Sequence, residues 1–166
     1  MATGYIDLDL GAAKADVTVP AQGEVLNNTG VTMMRWNFDA TADEFIHFQF
    51  VMPGDYASGL VVRAKFAMAS ATTGDIIVQA ALMAVTPGDS AAIDTGSLDT
   101  VNASSAVTVG GTAGYMKDVT ITMTNADSVA AGDWCDLKFG RDPDNASDTA
   151  TGDLELYGLT LEYTTT

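Results

Sequence analysis

The stretch Arg141-Asp142-Pro143-Asp144-Asn145-Ala146-Ser147-Asp148-Thr149-Ala150-Thr151-Gly152-Asp153 holds the densest set of hard oxygen ligands in the chain. Asp142, Asp144 and Asp148 are the donors a calcium ion would use, because Ca2+ is held by carboxylate and carbonyl oxygens. The spacing departs from the EF-hand loop, which needs glycine at its sixth position and a bidentate glutamate at its twelfth. Ser147 and Asp153 stand there instead. The competing role for the same residues is a structural loop whose Asp and Asn side chains cap their own backbone and whose Arg141 pairs with a nearby Asp. Calcium is the only cofactor the residues suggest. Nucleophilic catalysis has less to work with. The sole histidine, His47, alternates with Ile46 and Phe48 in a strand pattern, and the sole cysteine, Cys135, shares a face with Leu137 and Phe139 as a buried thiol would. Val109-Gly110-Gly111-Thr112-Ala113-Gly114 is glycine-rich but lacks the lysine and following helix of a phosphate cradle. Paired carboxylates for glycoside hydrolysis could be drawn from Asp43 with Glu44, or Asp133 with Asp136. With this many acids, a chosen pair distinguishes nothing, and solvated strand ends explain both.

Aromatic side chains carry a different chemistry, since a ring stacks on the apolar side of a sugar while polar neighbours bind its hydroxyls. Trp36, Tyr56, Tyr115, Trp134 and Tyr157 are the candidates. Trp36 is in phase with Met34 and Phe38 and reads as core. Tyr56, in a loop, and Tyr157, out of phase with Leu156, are the better ligand or interface candidates. Three Asn-x-Ser/Thr triplets, at Asn27, Asn102 and Asn145, would take glycans only in a glycosylating secretory route.

The whole chain sets bounds on these options. Its 166 residues, 47% apolar, suit one domain with a real core. Seven basic residues against 22 acidic give a net charge of −15, which opposes nucleic-acid binding. No apolar run approaches the roughly 20 residues of a membrane helix. The N-terminus lacks the basic and apolar regions of a signal peptide, so synthesis in the cytoplasm is expected. Of the acids 18 are Asp and only 4 Glu, which puts negative charge at chain reversals rather than on helices.

The elements that must position any site follow a period of two. Tyr5–Leu10, Val31–Phe38, Glu44–Val51, Gly59–Ala69, Tyr115–Thr124 and Trp134–Arg141 alternate apolar and polar residues, the pattern of half-buried strands. A weaker strand is expected within Ala106–Val109. Ile76–Val85 is apolar on nearly every position, which fits a strand covered on both sides or a helix; β-branched residues at its start and Pro87-Gly88-Asp89 at its end make it a strand, central or a surface that meets a partner. In the last strand Leu154 and Leu156 lie in one phase and Leu159, Leu161 and Tyr163 in the other, so a β-bulge at Gly158 is predicted. Gly-Asp pairs begin at residues 54, 74, 88, 132 and 152 and mark turns. Eight or nine strands with no amphipathic helix predict an all-β fold, an antiparallel β-sandwich of jelly-roll type. Residues 36–163 would form its core, 1–35 an N-terminal arm or the first strands of the same domain, and 164–166 a short tail.

Four segments carry a resemblance. Phe45 to Val51 followed by Met52-Pro53-Gly54-Asp55-Tyr56, the stretch from Asn125 to Asp133, Arg141 to Thr149, and the closing Leu159-Thr160-Leu161-Glu162-Tyr163 are similar to a pattern found in structural proteins of tailed bacteriophages. The resemblance runs from about residue 36 to the end. It implies a jelly-roll virion component, foremost a capsid decoration (cement) protein that acts as a homotrimer on the major capsid protein or other virion subunits, localised to the virion. No catalytic residue comes with it, and none is expected. In that role Tyr5, Ile6 and Leu8 would add to an exposed sheet edge of a neighbour. The alternative function is a carbohydrate-binding module of a fibre or cell-surface protein, using Tyr56 and Tyr157.

Overall fold

The computed structural model describes residues 1–166. In chain order its strands are β1 (Thr3–Leu8), β2 (Lys14–Ala15), β3 (Gln22–Asn28), β4 (Val31–Phe38), β5 (Phe45–Val51), β6 (Tyr56–Met68), β7 (Asp75–Ile76), β8 (Val78–Val85), β9 (Asn102–Ala103), β10 (Val107–Thr108), β11 (Lys117–Thr122), β12 (Trp134–Arg141) and β13 (Leu154–Thr165). A single 3-10 turn at Ile93–Thr95 is the only helical piece, and no helix is long and apolar enough to cross a membrane.

Two antiparallel sheets face each other. One has the order β11-β6-β13-β4-β3, with β1 pairing the stretch of β13 beyond β4; the other has the order β2-β5-β12-β8-β9. A two-stranded ribbon joins β7 and β10. Alternation decides what each sheet turns inward. Leu60, Val62, Ala64 and Phe66 of β6 meet Ile46 and Phe48 of β5 and Cys135, Leu137 and Phe139 of β12 in one apolar cluster of 32 buried residues. Phe38 and Phe139 touch edge to face across the sandwich, centroids 5.9 Å apart.

The phase break in β13 is a bulge. Leu156 stands opposite Phe66 and Gly158 opposite Lys65, so Tyr157 is the extra residue. The shift lets Leu154, Leu156, Leu159, Leu161 and Tyr163 all be buried although their phase changes midway. The sequence count of eight or nine strands omits β3, β2 and β9 and takes β7 and β8 as one run. β3 is exposed along nearly its whole length and so shows no apolar alternation, while β2 and β9 are two residues each. The run from Ile76 to Val85 is covered on both faces within the chain. Val78, Ala80 and Leu82 join the core, while on the outside Leu98 and Val101 flank Ala81 and Gly96 lies against Met83. It is therefore not an open surface for a partner. Residues 164–166 are not a free tail either. Thr164 and Thr165 belong to β13, opposite Ser58 and Tyr56, and the Thr166 amide donates to the Asp55 carbonyl at 2.9 Å.

Arg141 ends β12 fully buried. Its Nε and Nη2 donate to the two oxygens of Asp148 at 3.0 and 2.7 Å, and its remaining donors reach the carbonyls of Gly152, at 2.6 Å, and Ala150. Asp148 Oδ2 also accepts from the Ile77 amide at 2.9 Å. This side chain pins the loop from residue 142 to 153 against the start of β8, where the pairing with a nearby Asp was expected.

Candidate functional site

The outward positions of β5 are Phe45, His47, Gln49 and Val51, and those of β12 are Trp134, Asp136, Lys138 and Gly140. Register sets them side by side: Gly140 opposite Phe45, Lys138 opposite His47, Asp136 opposite Gln49, and Trp134 opposite Val51. The outer face of the five-stranded sheet thus carries aromatic residues at both ends of a polar strip. On one flank β8 contributes Ala81 opposite Lys138. Its small side chain leaves a hollow of about 110 Å³ walled by Phe45, Gln79, Leu98, Val101 and Lys138. On the other flank β2 brings Lys14 opposite His47, and the chain turns at Asp16.

Asp16 is the keystone of the strip. Its Oδ1 accepts from the Thr18 amide at 2.8 Å, the Thr18 hydroxyl at 2.7 Å and the Val19 amide at 3.2 Å. Its Oδ2 lies 3.1 Å from His47 Nε2 and 3.2 Å from Lys138 Nζ. His47 Nδ1 meets Asp136 Oδ2 at 2.7 Å, so the imidazole is held between two carboxylates. Lys138 Nζ also sits 3.9 Å above the centre of the Phe45 ring, a cation–π contact. Asp136 Oδ1 is buried with no hydrogen-bond partner, an acceptor still short of a donor.

The charges follow from these contacts. Burial works to raise the Asp16 carboxyl, but the Thr18 hydroxyl and amide, His47 and the Val19 amide outweigh it and hold it well below the usual carboxylate range. The Asp136 hydrogen bond, opposed by burial and helped by Asp16, raises His47 above its ordinary 6.5. Only the imidazolium can donate to both carboxylates at once. Its stabilising contribution is therefore complete below about pH 6.5, the unfolded value, and is lost as pH rises through the higher folded value. Thermal melting across that window should show a falling midpoint, and His47→Gln should flatten the fall. An unchanged slope in the variant would dismiss the linkage.

Gly140 is required where it stands. A methyl there would collide with the Glu44 carbonyl and the Phe45 ring, both packed directly above it. Gly140→Ala is expected to cost about 1–3 kcal/mol in a denaturant titration, as overpacking does, and to push Phe45 out from under Lys138. A variant as stable as the parent would show that the Phe45 side of the strip yields freely.

The residues singled out from sequence do not converge. Asp148 is turned inward to Arg141, Asp142 accepts from the Asn145 side chain at 3.2 Å, and Asp144 is exposed. No group of three or more His, Cys, Asp or Glu side chains is arranged to hold a metal ion, and both oxygens of Asp148 are engaged by the Arg141 guanidinium. Tyr5 is exposed on β1, but Leu8 is buried and Ile6 packs on the core, since the neighbour they add to is the chain's own β13. Tyr157 lies on the six-stranded sheet and donates to Glu155 at 2.8 Å. Tyr56 packs on Tyr163 and borders an open groove of about 460 Å³ at one end of the sandwich, with Ser58, Thr124 and Asn125. Asp133 caps its own turn by accepting from Ala130, away from the His47 network that engages Asp136. Cys135 is fully buried, and desolvation pushes its thiol up to about 12. The clustering of Asp16, His47, Asp136 and Lys138 is visible only once β2, β5 and β12 are in register. The outward phase of His47 and Gln49 was its one sequence signal.

No protein-family model and no curated protein matches the chain. Solved structures do. A β-1,3-glucan-binding family 6 carbohydrate-binding module from Bacillus halodurans is similar with a TM-score of 0.52 and 13% identity, covering 97% of this chain and 96% of that one. A family 35 carbohydrate-binding module from Clostridium thermocellum has a TM-score of 0.52 and 10% identity over 95% and 97% of the two chains. The family 22 xylan-binding domain from Paenibacillus barcinonensis has a TM-score of 0.52 and 10% identity over 97% and 94%. What this protein shares with them is the fold, the antiparallel β-sandwich jelly roll of carbohydrate-binding modules.

Proposed function

We propose that this protein is a non-catalytic binding module for an extended, neutral polysaccharide, held across the outer face of the five-stranded sheet. The observation that carries the reading is the strip itself: Trp134 at one end, Phe45 beneath Lys138 at the other, and between them an exposed Gln49 beside His47 and Asp136, which hold each other. Aromatic faces take the apolar sides of sugar rings, and ordered donors and acceptors take hydroxyls without further loss of side-chain entropy. From Trp134 to Lys138 the strip runs about 13 Å at strand rise, room for more than one sugar ring. A net charge of −15 favours a neutral chain over an anionic one. The shared fold adds support, and the glucan and xylan in the names of the similar structures are the first ligands to try. Calorimetric titration with soluble neutral polysaccharides, preceded by a glycan array, tests the reading. At least one β-linked glycan should bind, with affinity lost in Trp134→Ala. Silence across the array and the titrations would reject it.

The second reading is a virion subunit. It rests on the resemblance of the turn motifs to those of phage structural proteins and on an exposed apolar hairpin containing Val25, Val31 and Met33, suited to protein contacts. Co-sedimentation with phage shells, without glycan binding, is the result that would favour it.

A further inference from the structure

The six-stranded sheet ends at β3, which has β4 on one side and no strand on the other. A free edge presents unpaired N–H and C=O groups, and proteins usually guard such edges with lysine, proline or a bulge. β3, Gln22-Gly23-Glu24-Val25-Leu26-Asn27-Asn28, has no lysine or proline and pairs with β4 without a break in register. From Val25 to Met34 the hairpin bears no charged side chain. Val25 is 63% exposed, Val31 50% and Met33 37%. The adjoining acid, Glu24, is paired with Arg35 at 2.7 Å, which also reaches Glu155 at 2.7 Å. Two copies of a chain this acidic repel over most of their surface, and this hairpin is where they can touch without opposing like charges.

We propose that β3 pairs antiparallel with β3 of a second copy about a two-fold axis at Val25, joining two six-stranded sheets edge to edge. In that register Val25 meets its own counterpart, Glu24 meets Leu26 of the other copy, and Gly23 meets Asn27. The pleats agree, because residues of like parity face the same way. Within each copy Met34 already lies opposite Val25 and Met33 opposite Leu26. One face of the junction therefore becomes a continuous apolar row, Met34, Val25, Val25 and Met34, built from cross-strand neighbours. On the other face each Leu26 lies beside the Glu24–Arg35 pair of the opposite copy, whose aliphatic stems it covers. The pairing is self-complementary and closes at two copies, whereas the phage resemblance implied a trimer. It is independent of the glycan-binding reading.

Light scattering coupled to size exclusion of the whole chain tests this. The parent protein should reach twice the 17.2 kDa chain mass as concentration rises. Val25→Glu and Val25→Lys, each placing like charges opposite one another, should stay at the mass of one chain and melt where the parent melts at dilutions that leave it too as one chain. Mixing the two variants should restore the double mass, because the charges then attract across the axis. A parent that stays at one chain mass at every concentration, a trimer, or a dimer that survives Val25→Glu would overturn the proposal.

Discussion

Arg141→Ala is expected to destabilise the protein by about 3–5 kcal/mol, the scale for removing one partner of a buried ion pair. The guanidinium is inaccessible to solvent, and the Asp148 side chain it holds is 1% exposed. Taking it away leaves a carboxylate in the interior without its cation. The carbonyls of Gly152 and Ala150 lose their donors as well. Arg141→Met keeps most of the volume and none of the donors, so it should be nearly as costly. The double variant Arg141→Met with Asp148→Leu should recover part of the loss, since no bare charge is then buried. Recovery stays partial because the two carbonyls are still unsatisfied. Urea titrations of the three variants read these differences directly. If Arg141→Ala unfolded within about 0.5 kcal/mol of the parent, in the range of surface substitutions, the loop from 142 to 153 would be held by something other than this side chain.

Trp134→Ala is expected to weaken polysaccharide binding by about 2 kcal/mol, roughly 30-fold, the loss typical of an aromatic hot spot. The effect should appear in affinity with little change in melting, because Trp134 stands on the outer face and not in the apolar cluster. Tyr157→Ala provides the matching control. Tyr157 lies on the opposite sheet beside Glu155 and Arg35, so binding should stay at the parent level. Tyr56→Ala separates the strip from the groove at the end of the sandwich. Affinity lost in Tyr56→Ala and kept in Trp134→Ala would move the site to that groove.

The strands rich in alternation were legible from residues alone, because burial of one face imposes a period of two whatever the strand pairs with. Gly158 shows how far that logic reaches. A change of phase between Leu156 and Leu159 cannot bury both leucines without one extra residue, and the bulge supplies it at Tyr157. The partnership of Arg141 with an Asp was legible for a similarly local reason, since Asp142, Asp144, Asp148 and Asp153 all follow it within twelve residues. Which of them it takes was not. That depended on where β7 and β8 place the Ile77 amide, which accompanies Arg141 on Asp148.

The strip on the five-stranded sheet belongs to the second kind. Asp16, His47 and Asp136 are far apart in the chain, and Asp16 lies next to a strand of only two residues with no pattern of its own. What brings them together is the register of β2 and β12 on β5, a property of two ladders of backbone hydrogen bonds. The free edge of β3 is similar: its residues are polar and apolar without order, and only the sheet topology shows that nothing covers them. Sequence by itself determined the class of fold, the inward faces and the turns, because each depends on neighbours within a few residues. Tertiary structure alone decided which outward side chains share a surface, because side chains from distant strands meet only when pairing fixes their register.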